Sequence, residues 1–118
     1  MLGSIALMIQ QKAAEHPEKI AIYVGDEKCT YATLAENNRR AALYLSRKGI
    51  KADERIVVEA DHILDYVYFW YGIQLLGATF VPVEKNTPSA RIREIANELD
   101  AAAIVTLTPR EDCEGAWN

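Results

Sequence analysis

Cysteine, histidine and clustered cations are scarce in this chain, and each shortage removes a class of chemistry. Two of the 118 residues are cysteine and two are histidine. Cys29 and Cys113 form no CxxC and have no histidine at ligand spacing, so neither a zinc site nor a disulfide framework is indicated. Reduced thiols in a cytoplasmic protein are the simpler expectation. The formal net charge is -4, and the only basic pairs beyond isolated residues are Arg39-Arg40 and Arg47-Lys48. Nucleic acid needs several cations on one face, so it is not expected as a partner. A glycine-rich loop is also missing. The Gly/Ser/Thr candidates, Gly3-Ser4 and Thr106-Leu107-Thr108-Pro109, hold too few glycines for backbone amides to converge on a phosphate, and no lysine follows them.

Long hydrophobic runs are few as well. The opening Met-Leu-Gly-Ser-Ile leads into Gln10, Gln11 and Lys12 with no basic stretch before an apolar one, so no secretory signal is expected. Tyr66 to Val83 is an uncharged run of 18 residues, the lower limit for a membrane span. Gly72, Gln74, Gly77, Thr79 and Pro82 interrupt it, which divides the run into a buried helix and a buried strand and argues against a span.

What is present is the balance of a soluble globular unit, with 50% of residues apolar and 25% charged. Ile5, Met8 and Ile9 recur at helical spacing until His16-Pro17. Ile20–Val24 and residues 28–30 read as two strands joined at Gly25-Asp26-Glu27. Thr30 can cap a helix whose inner face is Tyr31, Leu34, Ala35, Asn38, Ala41, Ala42 and Leu45, ended by Gly49 in a left-handed conformation. Residues 55–59 form a short strand. Asp61 can then cap a helix from Ile63 to about Leu76, apolar on all sides and therefore stable only if packed on more than one side. Gly77 ends it, residues 79–83 form a strand, and Thr87 caps a helix with Pro88 at its first position. Residues 103–107 form the last strand, and 108–118 have no clear structure. The expected fold class is α/β: a partial open parallel sheet flanked by helices, with an N-terminal β-hairpin.

Two stretches carry a family resemblance that spans nearly the whole chain. His16-Pro17-Glu18-Lys19-Ile20-Ala21-Ile22, Cys29-Thr30-Tyr31-Ala32-Thr33-Leu34, Leu45 and Gly49-Ile50 resemble the opening of the AMP-forming adenylating superfamily, which includes acyl-CoA synthetases, nonribosomal-peptide adenylation domains and luciferases. Gln74-Leu75-Leu76-Gly77-Ala78-Thr79-Phe80-Val81-Pro82-Val83, then Thr87-Pro88 and Arg91-Ile92, resemble its "L-x-A-G-A-x-x-V-P-L … P … R-I" motif. The chain departs from the pattern at Thr33, where glutamate is usual, at Leu76, where alanine is usual, and at Glu84-Lys85. The resemblance implies that residues 1–118 are one N-terminal segment of a larger domain. It also implies a parent enzyme that joins a carboxylate to the α-phosphate of ATP, with Mg²⁺, and passes the acyl group to a thiol of CoA or a carrier protein.

No residue of the chain is expected to be catalytic, to bind a cofactor or to bind a metal, because the phosphate-holding parts of that family lie further along its sequence. Asp61, His62 and Asp65 place two carboxylates beside an imidazole, but helix capping is a plainer account than a metal site. Glu59 and Asp61 are expected to be solvated at a strand end. Tyr66, Tyr68, Phe69, Trp70 and Tyr71 suggest a packed interior helix more than a ligand wall. The chain is thus expected to be scaffold that is inactive alone, partnered by the remainder of the ligase or by itself as a homo-oligomer. The alternative is a non-catalytic module that associates through an unfinished sheet or apolar helix faces.

Overall fold

The computed structural model describes residues 4–108. Helix α1 spans Ser4–Glu15, strands β1 and β2 span Ile20–Val24 and Glu27–Thr30, and helix α2 spans Tyr31–Arg47. Strand β3 (Arg55–Glu59), helix α3 (Ile63–Leu75), strand β4 (Thr79–Val83), helix α4 (Ser89–Glu98) and strand β5 (Ala103–Thr106) follow. β1 and β2 pair antiparallel as a hairpin, and the other strands form a parallel sheet in the order β4-β3-β5. This is the expected α/β architecture, with helix and strand alternating after the hairpin. The irregular tail assigned to 108–118 falls, apart from Thr108, outside the described residues, as do Gly3 and Cys113.

Alternation along β3 explains how the sheet is covered. Ile56 and Val58 turn to one face and join Ala41, Leu45, Phe69, Ile73 and Val105, so that face packs on α2 and α3. Val57 turns to the other face and meets Ile92 and Ala96 of α4. A parallel sheet buried on both faces is what the unbroken Ile-Val-Val run requires. A third cluster, Ile9, Cys29, Leu34, Ala35 and Leu64, ties α1 and the hairpin to α2 and α3. The buried face of α1 is Ala6 and Ile9, while Ile5 and Met8 are exposed.

α3 is packed on several sides, as its all-round apolarity demands, although Ile63 and Trp70 remain exposed. Trp70 stacks on Tyr71 and Phe80 with ring centroids 5.1 and 5.6 Å apart. The Thr30 cap of α2 forms as expected: the Thr33 N–H donates to Thr30 Oγ1 at 3.2 Å. Thr33 stands where the family pattern has glutamate, and there its own hydroxyl accepts from Thr30 Oγ1 at 3.2 Å. Gly77 takes φ 77°, and the Ala78 N–H closes back on Ile73 O at 3.1 Å, so the chain leaves α3 directly into β4.

Two local expectations are corrected. The residue capping α3 is His62, whose Nδ1 accepts the Leu64 N–H at 3.1 Å. Asp61 instead pairs with Lys85 at 2.6 Å, an option that sequence spacing does not reveal. Pro88 is the cap residue of α4, without a side-chain bond, because the Thr87 hydroxyl donates to Glu84 O at 2.5 Å and is thereby turned away from the helix. Pro82 lies in β4, which is an edge strand. The Thr79 N–H donates inward to Glu54 O at 2.8 Å, so alternate residues place Pro82 where an N–H would point off the sheet. Proline costs no ladder bond at that position.

α2 and α3 approach each other closely at Gly72. A Cβ on Gly72 would lie 2.7 Å from Asn38 O and 2.8 Å from Ala41 Cβ. Alanine is the better helix former by about 1 kcal/mol, but the contact is with rigid backbone and overpacking costs about 1–3 kcal/mol. Gly72→Ala is therefore expected to destabilise the fold by up to roughly 2 kcal/mol net of propensity, measured as a lower urea midpoint at unchanged slope. A higher midpoint would show that the helices part freely.

Candidate functional site

In open α/β sheets, ligands bind beyond the carboxyl ends of the strands. Here those ends are Glu59 of β3, Val83 of β4 and Thr106 of β5, with the connecting segments that follow them. Glu59 falls on the same side of the sheet as Val57, and its side chain is fully buried. Its Oε2 accepts the Asn86 N–H at 2.8 Å, and Thr108 Oγ1 donates at 2.8 Å to Oε1, with a 3.0 Å contact to Oε2. The Glu59 backbone carbonyl accepts the Leu107 N–H at 2.8 Å. Asn86 has φ 64°, a left-handed geometry that asparagine tolerates better than most residues. One carboxylate thus fixes both the turn after β4 and the exit of β5.

The expected solvation of Glu59 is therefore overturned, and Glu59 and Asp61 do not act as a pair. Glu59 is enclosed, whereas Asp61 is exposed and held by Lys85. In the structure, alternation along β3 puts Glu59 on the face of Val57, which α4 covers. What sequence could not supply was the arrival of Asn86 and Thr108, which are 27 and 49 residues away.

The rim of this end is equally self-contained. His62 Nδ1 serves the α3 cap, which leaves Nε2 to donate to Glu27 Oε1 at 2.8 Å. The imidazole thereby engages both its nitrogens and joins the hairpin to α3. Lys85 is shifted upward by its hydrogen bond and charge attraction to Asp61. The Asp65 carboxyl is pushed up by burial, opposed by His62 and reinforced by Asp61. Tyr66 donates to Val83 O at 2.6 Å, fastening α3 to the end of β4. Among the described residues, no three His, Cys, Asp or Glu side chains are grouped to hold a metal ion. Of the aromatic series, Phe69 is buried, Tyr66, Tyr68 and Tyr71 are half-buried, and only Trp70 is exposed.

A sequence model of the AMP-binding enzyme family matches residues 9–117. The chain belongs to that family. It is 30% identical over 102 residues to bacitracin synthase 3 of Bacillus licheniformis, covering 86% of this chain and 2% of that protein. It is 28% identical over 109 residues to the D-alanine–D-alanyl carrier protein ligase of Lacticaseibacillus rhamnosus, covering 92% of this chain and 21% of that one. The N-terminal subdomain of Klebsiella oxytoca NpsA superposes with a TM-score of 0.76 at 21% identity, over 96% of this chain and 30% of that one. A Mycobacterium tuberculosis fatty acyl CoA synthetase does so with a TM-score of 0.75 at 23% identity, over 88% and 21%. This member of the AMP-binding family thus spans only 2% to 21% of the two sequence relatives' lengths. No helix among its described residues is long and apolar enough to cross a membrane.

Within this family member, ATP does not fit the residues at the sheet's carboxyl end. Glu59 presents a buried carboxylate where a phosphate would need donors, and the nearby Lys85 is engaged by Asp61. Glu59→Ala is expected to leave the Asn86 amide and the Thr108 hydroxyl without their acceptor, at about 1–3 kcal/mol for each that stays buried. Glu59→Gln, which keeps a carbonyl acceptor, is expected to cost less. Urea unfolding of the two variants checks the order, and equal midpoints for wild type and E59A would remove Glu59 from this role.

The one described thiol is buried and chemically quiet. Cys29 is 2% exposed, its Sγ lies 3.9 Å from the Tyr68 hydroxyl, and burial pushes its thiol up from the usual value. Burial also pushes Tyr68 up to about 12 from 10.0, reinforced by its contact with Cys29. A raised tyrosine pKa favours the neutral form in the folded state. That contribution is whole below pH 10.0 and is lost as pH rises through about 12. Tyr68→Phe is expected to flatten this alkaline loss of stability in pH-dependent thermal melts. An unchanged alkaline limb would assign the loss to other groups.

Proposed function

We propose that this chain is scaffold within an ATP-dependent, AMP-forming ligase that activates a carboxylate, and that it does not catalyse adenylation alone. The observation that carries this reading is Glu59. At the sheet end where an open α/β enzyme would receive its ligand, a buried carboxylate is occupied with the Asn86 amide and the Thr108 hydroxyl. Its effect is to order the two connections that leave the sheet, which is a structural task. No residue is assigned a catalytic, nucleotide-binding or metal-binding role.

Family membership supports the parent reaction. A carboxylate oxygen attacks the α-phosphorus of ATP, pyrophosphate leaves, and the acyl-adenylate is then taken by a thiol. Mg²⁺ would offset the phosphate charge in such a reaction. Relatives named as a bacitracin synthase and a D-alanyl carrier protein ligase support an amino acid or related carboxylate as the acid. A carrier-protein thiol suits the acceptor, with CoA the alternative that the fatty acyl CoA synthetase neighbour supports. Residues 1–118 are read as one unit within the ligase domain, with Cys29 reduced in a cytoplasmic setting.

The second reading, a self-associating module, is favoured by one observation. Among the described residues β5 pairs with β3 on one side only, and unlike β4 it carries no proline to blunt its other edge. ATP–pyrophosphate exchange and light scattering test both readings together. The purified 118-residue chain is expected to give no exchange with any amino acid or fatty acid, and to associate as its concentration rises. Sustained exchange would refute the scaffold reading, and a monodisperse monomer at high concentration would remove the module.

A further inference from the structure

The outward face of α2 differs in character from the rest of the molecule. Although the chain carries a net charge of -4, Arg39, Arg40 and Arg47 all face solvent on this helix. Arg39 is held by Glu36 and donates to Gln10 Oε1 at 2.7 Å. Arg40 and Arg47 form no ion pair among the described residues. They stand seven residues apart, with Leu43 between them on the same stripe. Leu43 is 50% exposed and adds apolar surface to this stripe.

Beside this stripe runs a shallow groove of about 450 Å³, open to solvent, whose apolar lining is Ala42, Leu43, Leu75 and Leu76. Leu76 stands where the family pattern has alanine, so part of that wall belongs to this chain in particular. The groove is too open to enclose a small molecule, which would normally lose most of its surface on binding. Its form suits the apolar stripe of a helix lying along it. Arg40 lines the groove beside the Glu36–Arg39 pair, and Arg47 lies one turn beyond Leu43 on the same stripe, so the guanidiniums that form no ion pair select the sign of charge beside it.

We propose that this groove docks an acidic amphipathic helix of a partner protein. Leucine-type side chains at i, i+3 or i+4 and i+7 would fill the strip between Leu43 and Leu76, and flanking carboxylates would meet Arg40 and Arg47. The proposal does not depend on ATP chemistry, and it stands or falls separately from the scaffold reading.

The test uses the full 118-residue chain and a fluorescent synthetic helix of about 16 residues. One peptide carries leucines at those positions flanked by glutamate, and its control carries lysine for glutamate. In fluorescence anisotropy the glutamate peptide is expected to bind at least about tenfold more tightly than the lysine peptide at low salt, the gap narrowing as salt rises. The double substitution Arg40→Glu with Arg47→Glu is expected to invert that preference, and Leu43→Ser to weaken both peptides. All three positions are exposed, and circular dichroism confirms folding. Should the double reversal unfold, R40Q with R47Q is expected to abolish the preference without inverting it. Equal affinity for both peptides, no saturable binding of the glutamate peptide, or an affinity untouched by the arginine substitutions would each overturn the proposal. So would tighter capture by phosphatidylserine vesicles than by the glutamate peptide, which would make the face a membrane contact.

Discussion

The structure depends on how closely α2 approaches α3. At Gly72 the two helices meet with no room for a Cβ, against Asn38 O and Ala41. Asn38 is fully buried, and its Nδ2 donates to Tyr68 O at 2.8 Å and Val67 O at 3.3 Å. These bonds reach the backbone of α3, so they set the depth at which α2 sits as well as its rotation. α2 and α3 both contribute to the sheet-facing cluster and to the cluster that holds α1 and the hairpin. A shift at Gly72 would therefore be felt in both. An amide buried in an apolar seam is costly unless it is bonded, which makes it selective for the arrangement that bonds it.

From that contact the rest of the order propagates toward the sheet's carboxyl end. α3 is held on β4 by the Tyr66 bond to Val83 O, and its start is tied to the hairpin through His62 and Glu27. With α3 fixed, β3 and β4 end level with one another, and Glu59 can reach both the turn after β4 and the segment after β5. The polar groups of Tyr66, His62 and Glu59 at this end are spent on other parts of the same chain. An active site has the opposite character: donors and charges stand preorganised for a partner that is not yet there. The scaffold reading rests on this contrast.

Much of the fold was legible in the sequence because its signals are local. The period of Leu34, Ala35, Asn38, Ala41 and Leu45, the Ile-Val-Val run of β3, the Thr30 cap and the glycine exits of α2 and α3 each report on a few neighbouring residues. The opening stretch from His16 to Ile50 and the motif from Gln74 to Val83, taken together and in that order, pointed to the family. What escaped was decided by residues distant in sequence. Asp61 and His62 both stand where a cap is needed, and Lys85 decides between them by drawing Asp61 away. Glu59 reads as a polar strand end until Asn86 and Thr108 close over it. Gly72 reads as an interruption of an apolar run until α2 is laid against it. In each case the missing information was a tertiary neighbour and not a propensity.

The two faces of α2 stand under different constraints. Its inner face is fixed residue by residue: Ala41 and Asn38 lie against Gly72, and Leu34, Ala35 and Leu45 fill the two clusters. Its outer face makes no comparable demand, since solvent accepts lysine, glutamate or glutamine there at little cost. An exposed leucine between two unpaired arginines is therefore not needed for folding. Left exposed, that leucine gains little stability, since its apolar surface stays in water. In the proposed docking, the leucine and the arginines would each meet a counterpart on another molecule. A helix whose inner face is locked by packing is well suited to that task, since its outer side chains are presented on a rigid support and a partner binds without having to order them first.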